Sequence, residues 1–90
     1  MKFYYVYVLL LCNGQLYHGF TKRLHARVNE HKNGKVASTC KRRPLELIHA
    51  EAYIRGSDAR RRERFLKTTE GKRLLRRQIR DVLQEKGVID

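Results

Sequence analysis

The chain has 90 residues, enough for one domain with one modest core, and we expect residues 1–90 to form that single domain. Its 21 Lys and Arg residues against 9 Asp and Glu residues give a formal charge of +12, which concentrates polyanions around the protein. Nucleic acid is therefore the expected class of partner. Charge alone leaves the activity open, because a basic surface supplies affinity without chemistry.

The two cysteines, Cys12 and Cys40, exclude several classes of small protein. They are too few and too far apart for a zinc ribbon, which needs closely spaced pairs of ligands. They are also too few for a disulfide-rich secreted scaffold. We therefore expect reduced thiols and a cytoplasmic location.

The apolar run over residues 3–12 allows two interpretations. With Lys2 before it and Leu-Leu-Leu-Cys at its end, the run resembles a short lipoprotein signal peptide. Three tyrosines interrupt it, however, and it is shorter than the roughly 20 residues that cross a bilayer. Aromatic and aliphatic side chains on both faces favour a strand covered on each side, so we expect no membrane association.

An Asn-Gly dipeptide at residues 13–14 predicts a turn from this first strand into a second strand over residues 15–20. The number of residues in the turn decides which side chains share a face. A two-residue loop sends Tyr7 and Tyr17 to opposite faces of the sheet. A three-residue loop, with Gly14 in the left-handed conformation, puts both tyrosines on the same face.

Three elements are predicted in the middle of the chain. Thr21 is a plausible N-cap for a first helix over roughly residues 22–32, which an Asn-Gly pair at 33–34 would end. Residues 35–44 are polar and basic, which predicts a solvated loop. Residues 45–53 alternate in polarity and predict a third strand.

The C-terminal part predicts two further helices. Ser57 would cap one over about residues 58–67, and Thr68 or Thr69 would cap another over about residues 70–86. The order strand, strand, helix, strand, helix, helix predicts an α+β fold, with three helices packed on a three-stranded, largely antiparallel sheet.

Two charged side chains lie on apolar helical stripes. Glu63 lies between Ala59 and Leu66 on one stripe, where a carboxylate needs a partner. That partner is either a divalent metal, as in phosphodiester hydrolysis, or an arginine in a structural ion pair. Arg27 lies beside Val28 and can either bind a phosphate with both guanidinium arms or cover apolar surface.

Three more side chains, Tyr7, Tyr17 and His31, are candidates of lower specificity. Tyrosines in strands are more often core residues than catalysts, and a phenol with a pKa near 10 is a poor base at neutral pH. A nearby metal ion or arginine favours the phenolate and would let a tyrosine take a proton from water. His31 follows Arg27 by one helical turn and is otherwise an ordinary surface residue.

Together these residues resemble the GIY-YIG endonuclease superfamily, especially its small single-domain members. The two motifs that name the family are matched by Tyr5-Val6-Tyr7 and Tyr17-His18-Gly19. The segment LYHGFTKRLHARVNEHKNG resembles the strand-into-helix signature of the family, and SDARRRERFLKTTEGKRLLRR resembles its second helix and the start of the third. The resemblance covers nearly the whole chain.

The resemblance implies a role for each matched position. Tyr17 would be the general base for water, with Tyr7 beside it, and Arg27 would bind the scissile phosphate. His31 would lie near the nucleophile or the leaving group, and Glu63 would hold one Mg²⁺ or Mn²⁺. The implied reaction is metal-dependent cleavage of DNA that leaves a 3′-hydroxyl and a 5′-phosphate, in repair or in the processing of DNA structures.

Three positions depart from the family pattern. Tyr5 replaces the glycine of the first motif, His18 replaces an aliphatic residue or Thr, and Phe20 stands where some members have a polar or basic residue. In the three-residue-loop register, His18 points away from both tyrosines. Phe20 would weaken a phosphate contact and leaves open a degenerate module that binds nucleic acid without cutting it.

A third hypothesis is a basic RNA-associated protein without an active site. All three hypotheses use the same basic surface, and the expected nucleic-acid-binding residues are Lys22, Arg23, Lys35, Lys41, Arg42 and Arg43. The pattern does not distinguish a monomer from a weak dimer, because it shows no clear apolar seam.

Overall fold

The computed structural model describes residues 2–88, and they form a three-stranded sheet with helices on both faces. The sheet order is β2-β1-β3, and β1 pairs antiparallel with both neighbours. The α+β prediction is therefore confirmed, with four helices in this part of the chain where three were predicted. In chain order the elements are β1 (Tyr4–Leu10), β2 (Leu16–Thr21), α1 (Leu24–Lys32), β3 (Glu46–Tyr53), α2 (Gly56–Leu66), α3 (Thr69–Gln78) and α4 (Arg80–Glu85).

The central strand β1 is buried on both faces, as its continuous apolar sequence predicts. Val6 and Val8 face a core cluster built from α2, α3 and α4, and both are 0% exposed. Tyr7 and Leu9 face the opposite side, where they pack with residues of α1. The sheet therefore separates two apolar clusters, and the tyrosines belong to the one beneath α1.

The hairpin between β1 and β2 has the three-residue loop. The backbone N–H of Leu11 donates to the carbonyl of Gln15 at 2.9 Å, and Gly14 has a φ of 86°. A left-handed residue at this position is nearly free of strain only for glycine. The register that places Tyr7 and Tyr17 on one face is confirmed, because Tyr7 pairs with Gly19 and Leu9 pairs with Tyr17.

Strand β3 contains a bulge that changes which side chains face α2. Val8 pairs with His49, whereas the next residue of β1, Leu9, pairs with Leu47. The extra residue brings His49 and Glu51 to the face covered by α2.

Glu51 is a carboxylate that forms a partly buried ion pair with arginine. Its oxygens accept hydrogen bonds from Arg62 (3.0 and 3.2 Å) and from the Tyr53 hydroxyl (2.6 Å), and one lies 2.9 Å from His49 Nε2. Burial raises the pKa of Glu51, but these hydrogen bonds and the charge of Arg62 outweigh burial and hold it below the usual value. An ion pair with arginine, one alternative considered for Glu63, is thus found at Glu51, while Glu63 pairs with Lys67.

Two predicted helix caps are wrong. Thr21 is the last residue of β2, and its hydroxyl accepts from the Arg23 N–H, so α1 starts only at Leu24. Ser57 lies inside α2, which starts at Gly56. In both places the sheet and its exit turn set the direction of the chain, and local capping propensity is too weak to override them. The Thr68 cap is confirmed, since its hydroxyl accepts from the Gly71 N–H at 3.0 Å.

The predicted long C-terminal helix is interrupted at Ile79, which separates α3 from α4 with φ −108° and ψ 31°. Leu75 and Leu83 on the two sides of the break are both 0% exposed, and Ile79 is 8% exposed. The break lets both segments pack on the same cluster, so tertiary packing decides here against a straight helix.

The segment predicted to be a solvated loop, residues 35–44, is partly buried. Val36 is 8% exposed and Thr39 is 0% exposed. Arg42 donates to Gln15 Oε1 at 2.8 Å and to the carbonyl of Ser38, and Arg43 donates to backbone carbonyls at 3.0 and 3.3 Å. These contacts hold the segment against the hairpin and the end of α1.

Within residues 2–88, no helix has the length and apolar character needed to cross a membrane.

Candidate active site

Three aromatic rings meet on the face of the sheet beneath α1. The Tyr7 hydroxyl lies 2.9 Å from His31 Nε2, and both residues are buried. Ring centroids are 6.4 Å apart for Tyr7 and Tyr17, 5.7 Å for Tyr7 and His31, and 5.1 Å for Tyr17 and His31. The hairpin register and the first helix therefore bring three of the five predicted catalytic residues into direct contact.

Gly19 makes room for this cluster. A Cβ on Gly19 would lie less than 3.0 Å from both the Tyr7 hydroxyl and the adjacent ring carbon. This distance is too short for any side chain at position 19 unless Tyr7 moves. The Tyr7 phenol thus lies directly over the Gly19 backbone on the paired strand. The glycine of the second motif is required here by close approach.

Thr39 is a site residue that the sequence did not reveal. Its side chain is 0% exposed, and its hydroxyl lies 2.8 Å from His31 Nδ1. Both ring nitrogens of His31 are therefore occupied, one by Thr39 and one by Tyr7. Nothing in the polar pattern of residues 35–44 distinguishes this threonine from its exposed neighbours, so its burial comes only from the fold of the segment.

Electrostatics set the proton state of the cluster. Burial raises the pKa of the Tyr7 hydroxyl; the Arg27 guanidinium opposes this rise, while Tyr17 and Glu63 add to it. Burial also lowers the pKa of His31, and the charge of Arg27 lowers it further. At neutral pH Tyr7 is therefore a neutral phenol and His31 a neutral imidazole.

A neutral imidazole has one donor and one acceptor nitrogen, which leaves two arrangements for the chain from Thr39 through His31 to Tyr7. Either Tyr7 donates to Nε2 and Nδ1 donates to Thr39, or Thr39 donates to Nδ1 and Nε2 donates to Tyr7. The two arrangements differ in the tautomer of His31 and in the direction in which the two hydroxyl groups point, and both hydroxyl groups keep their protons. In either arrangement the Tyr7 oxygen is held by a hydrogen bond to a neutral imidazole.

Arg27 lies at the open side of the cluster. It interacts with the Tyr7 hydroxyl, which contributes to its raised pKa after the larger effect of Glu30. Its guanidinium forms an ion pair with Glu30 at 3.0 Å, and its side chain is 38% exposed. An exposed ion pair of this kind is worth at most about 1 kcal/mol, so an incoming phosphate can compete for the guanidinium.

Next to Arg27 the surface forms a cavity of about 420 Å³. It runs from the end of β2 along the first turns of α1 and is lined by Phe20, Thr21, Lys22, Arg23, Ala26, Arg27 and Glu30. The cationic residues predicted at positions 22 and 23 thus lie on the same concave surface as Arg27.

Glu63 approaches the cluster from α2. Its side chain is 18% exposed, between the buried residues Ala59 and Leu66 of the same stripe. The carboxylate forms an ion pair with Lys67 at 3.1 Å and contributes to the raised pKa of Tyr7, so it lies within electrostatic reach of the phenol. Glu63 thus interacts with Tyr7 electrostatically, without a hydrogen bond to Tyr7, Tyr17 or His31.

The remaining predicted nucleic-acid-binding residues differ in their availability. Lys35 and Lys41 are exposed, whereas the guanidiniums of Arg42 and Arg43 already bond to Gln15 or to backbone carbonyls. Phosphate binding by these two arginines stays a prediction, and their contacts in the structure are with the fold.

The departures from the family pattern lie outside the cluster. His18 pairs with Val8 on the opposite face of the sheet, as the three-residue-loop register predicts. Phe20 stacks on Tyr4 with a centroid distance of 6.1 Å, and the Arg60 guanidinium lies 4.1 Å above its ring. Neither residue removes a group from the face that holds Tyr7 and Tyr17.

Comparison with known proteins supports the resemblance. The model of the GIY-YIG catalytic domain matches residues 3–77. A UPF0213 protein of Staphylococcus epidermidis is 44% identical over 69 residues, which covers 76% of this chain and 84% of that protein. A UPF0213 protein of Staphylococcus aureus is 38% identical over 77 residues, or 84% of this chain and 94% of that one.

The fold is also found in a solved structure. The solution NMR structure of a UPF0213 protein from Bacillus halodurans superposes with a TM-score of 0.53 at 30% identity, covering 81% of each chain. With the family model matching most of the chain, this protein belongs to the GIY-YIG catalytic-domain family, and its relatives include the small UPF0213 proteins.

Proposed function

We propose that this protein is a divalent-metal-dependent endonuclease that hydrolyses phosphodiester bonds in DNA. The observation that carries the proposal is the contact of Tyr7, Tyr17 and His31 on one face of the sheet. The Arg27 guanidinium interacts with the Tyr7 hydroxyl of this cluster. A purely structural aromatic cluster does not need a guanidinium at its open side. A phosphate-binding site does.

The reaction requires that water attack phosphorus, that the bond from phosphorus to the 3′-oxygen break, and that this oxygen receive a proton. Arg27 binds the scissile phosphate after exchanging Glu30 for phosphate oxygens. Tyr17 takes the proton of the attacking water, and Tyr7, which keeps its proton at neutral pH, donates a hydrogen bond beside it. The departing 3′-oxygen takes its proton from solvent. His31 and Thr39 hold the Tyr7 hydroxyl in position through the two hydrogen bonds of the His31 ring.

Glu63 supplies one carboxylate, the kind of ligand that suits a hard divalent ion. Within residues 2–88 no group of three or more His, Cys, Asp or Glu side chains could hold a metal ion. Mg²⁺ is commonly bound by one or two carboxylates, with substrate phosphates and water supplying the rest. Glu63 would hold Mg²⁺ or Mn²⁺ in this way, which requires release of its ion pair with Lys67. The ion would offset the negative charge that develops on the phosphate.

The proposed setting is the cytoplasm, in DNA repair or in the processing of DNA structures. Cys12 and Cys40 are both free, as a reducing compartment requires. Lys22 and Arg23 on the cavity beside Arg27 supply positive charge for the DNA backbone next to the cleaved bond.

The test is cleavage of supercoiled, branched and single-stranded DNA with Mg²⁺, with Mn²⁺ and with chelator. We expect nicking that disappears with chelator and in Arg27→Ala and Glu63→Gln, while DNA binding persists. Arg64→Ala and Glu70→Ala remove the same charges from exposed positions on α2 and α3 and should cut like the wild type. DNA binding without cleavage in the wild type would instead identify the protein as a non-cutting binding module.

A further inference from the structure

His18 has an unusual environment. Its Nε2 is the only buried side-chain nitrogen or oxygen within residues 2–88 that has no hydrogen-bond partner, and the residue is 7% exposed. A buried polar group without a partner is destabilising, and native proteins keep few of them. The tyrosine cluster does not explain His18, because the residue lies on the other face of β2.

His18 lines a cavity of about 320 Å³ between the hairpin and α3. The other lining residues are Gln15, Leu16, Lys72 and Arg76. Lys72 and Arg76 are four residues apart and therefore lie on the same side of α3. Neither forms an ion pair with any described carboxylate, whereas Arg73 between them pairs with Glu70.

The charges around His18 are mostly positive. Burial, followed by Lys72, Lys67 and Arg76, lowers the pKa of His18 to about 4. The opposing charge is Glu63, which forms an ion pair with Lys67. Burial is the larger cause of this shift, but the cations around the cavity are by themselves favourable for an anion.

We propose that this cavity binds a second phosphate of the nucleic-acid backbone, on the opposite side of β2 from the tyrosines. Lys72 and Arg76 neutralise the phosphate, and His18 contributes a neutral ring N–H. Because β2 is an edge strand, nucleic acid lying on the tyrosine face can pass around that edge to reach the cavity. The proposal rests on the nucleic-acid part of the proposed function and is independent of cleavage.

The first experiment measures binding of a short DNA duplex across a range of salt concentrations. Lys72→Ala/Arg76→Ala is compared with Arg64→Ala/Arg77→Ala, which removes the same charge from exposed positions on α2 and α3. Loss of this one phosphate contact should make the negative slope of log affinity against log salt shallower by about one. The control pair should change it clearly less, and equal slopes in the two pairs would overturn the proposal.

The second experiment observes the His18 ring directly by NMR, with inorganic phosphate and with a DNA duplex as separate probes. DNA should shift the His18 ring resonances and raise its pKa from about 4, because a bound anion favours the protonated imidazole. A response to inorganic phosphate without a response to DNA would show a free-phosphate site and reject the nucleic-acid source. No response to either probe would reject the site.

His18→Ile separates this role from packing. The substitution removes the unpaired nitrogen, so the protein should keep or gain stability while its DNA affinity falls. Unchanged affinity in a stable His18→Ile protein would show that His18 only fills the core. If DNA binds at the cavity but the wild-type protein does not cleave DNA with either Mg²⁺ or Mn²⁺, the proposed nuclease function is wrong and the proposed phosphate site is still supported.

Discussion

The hydroxyl of Tyr7 on the central strand and Nε2 of His31 on α1 form a buried 2.9 Å hydrogen bond across 24 residues of sequence. Thr39 holds the other nitrogen of the same ring at 2.8 Å. The His31 ring is thereby fixed between a strand and a loop. This chain of three side chains connects the proposed chemistry to the packing of the fold.

We predict that Tyr7→Phe lowers the free energy of unfolding by about 1–3 kcal/mol, because it leaves His31 Nε2 buried without a partner. Cleavage should also fall, since Phe cannot donate the hydrogen bond proposed for Tyr7 beside Tyr17. Urea denaturation and a nicking assay measure the two effects. Tyr5→Phe, on the same face of β1 but only partly buried, is the control and should change stability by less.

Replacing Thr39 should disturb His31. Thr39→Val keeps the shape of the side chain but removes the hydroxyl, so we expect a loss of about 1–3 kcal/mol of stability. The nitrogen chemical shifts of His31 should show an altered distribution of tautomers. Thr39→Ser keeps the hydroxyl and should restore the shifts and the activity; a Val variant with wild-type shifts would exclude Thr39 as a positioning residue.

Gly19→Ala should displace the Tyr7 ring, because the new methyl group would lie less than 3.0 Å from its hydroxyl. Overpacking of this kind costs about 1–3 kcal/mol, and the displaced phenol should lose its bond to His31 together with cleavage. Gly87→Ala is the control, since Gly87 has a positive φ but no atom lies within 4 Å of the position that its new methyl group would take. Equal activity in both alanine variants would show that the site tolerates a shifted Tyr7.

Stability should fall as the pH is lowered from 7 to 5. The pKa of His18 is about 4 in the folded protein and near 6.5 in the unfolded chain, and the pKa of His31 is also lowered. The unfolded state therefore binds more protons in this window, and stability increases with pH. A difference of about 2.5 pKa units at His18 corresponds to about 3 kcal/mol once the pH is below both values.

Urea denaturation at several pH values tests this dependence. The lowered pKa of Glu51 acts only at lower pH, because its contribution is lost as the pH falls below its usual value toward the folded one. His18→Ile should flatten the profile between pH 7 and 5 to the part due to His31. A profile in the variant as steep as in the wild type would contradict the assignment to His18.

Arg62→Ala should destabilise the fold by about 1–3 kcal/mol without entering the chemistry, because the partly buried Glu51 carboxylate loses both of its hydrogen bonds from arginine. Glu51 is 15% exposed at its side chain, on the face of the sheet opposite Tyr7. Thermal unfolding measures the loss, and cleavage at a temperature where the variant is folded should match the wild type. Arg61→Ala, at an exposed pair with Asp58, should change stability by less than about 1 kcal/mol.

The local sequence pattern predicted most strands and helices, because secondary structure depends largely on residues that are close in sequence. The order of the elements followed from the strand patterns and the apolar stripes of the helices. The Asn-Gly turn at Gly14 limited the hairpin to two possible registers. The apolar stripes also marked Arg27 and Glu63 as charged residues beside the core, and the resemblance assigned them a common site.

Only the tertiary structure decided between the alternatives, because burial and pairing depend on residues far apart in sequence. It selected the three-residue loop, buried His31 against Tyr7 and brought Thr39 inward from a segment that looks solvated. It also ended the third helix at Ile79, since packing of Leu83 on the core outweighs the preference for a continuous helix. The sequence determines which chemical groups are present, whereas the tertiary structure determines which of these groups come into contact.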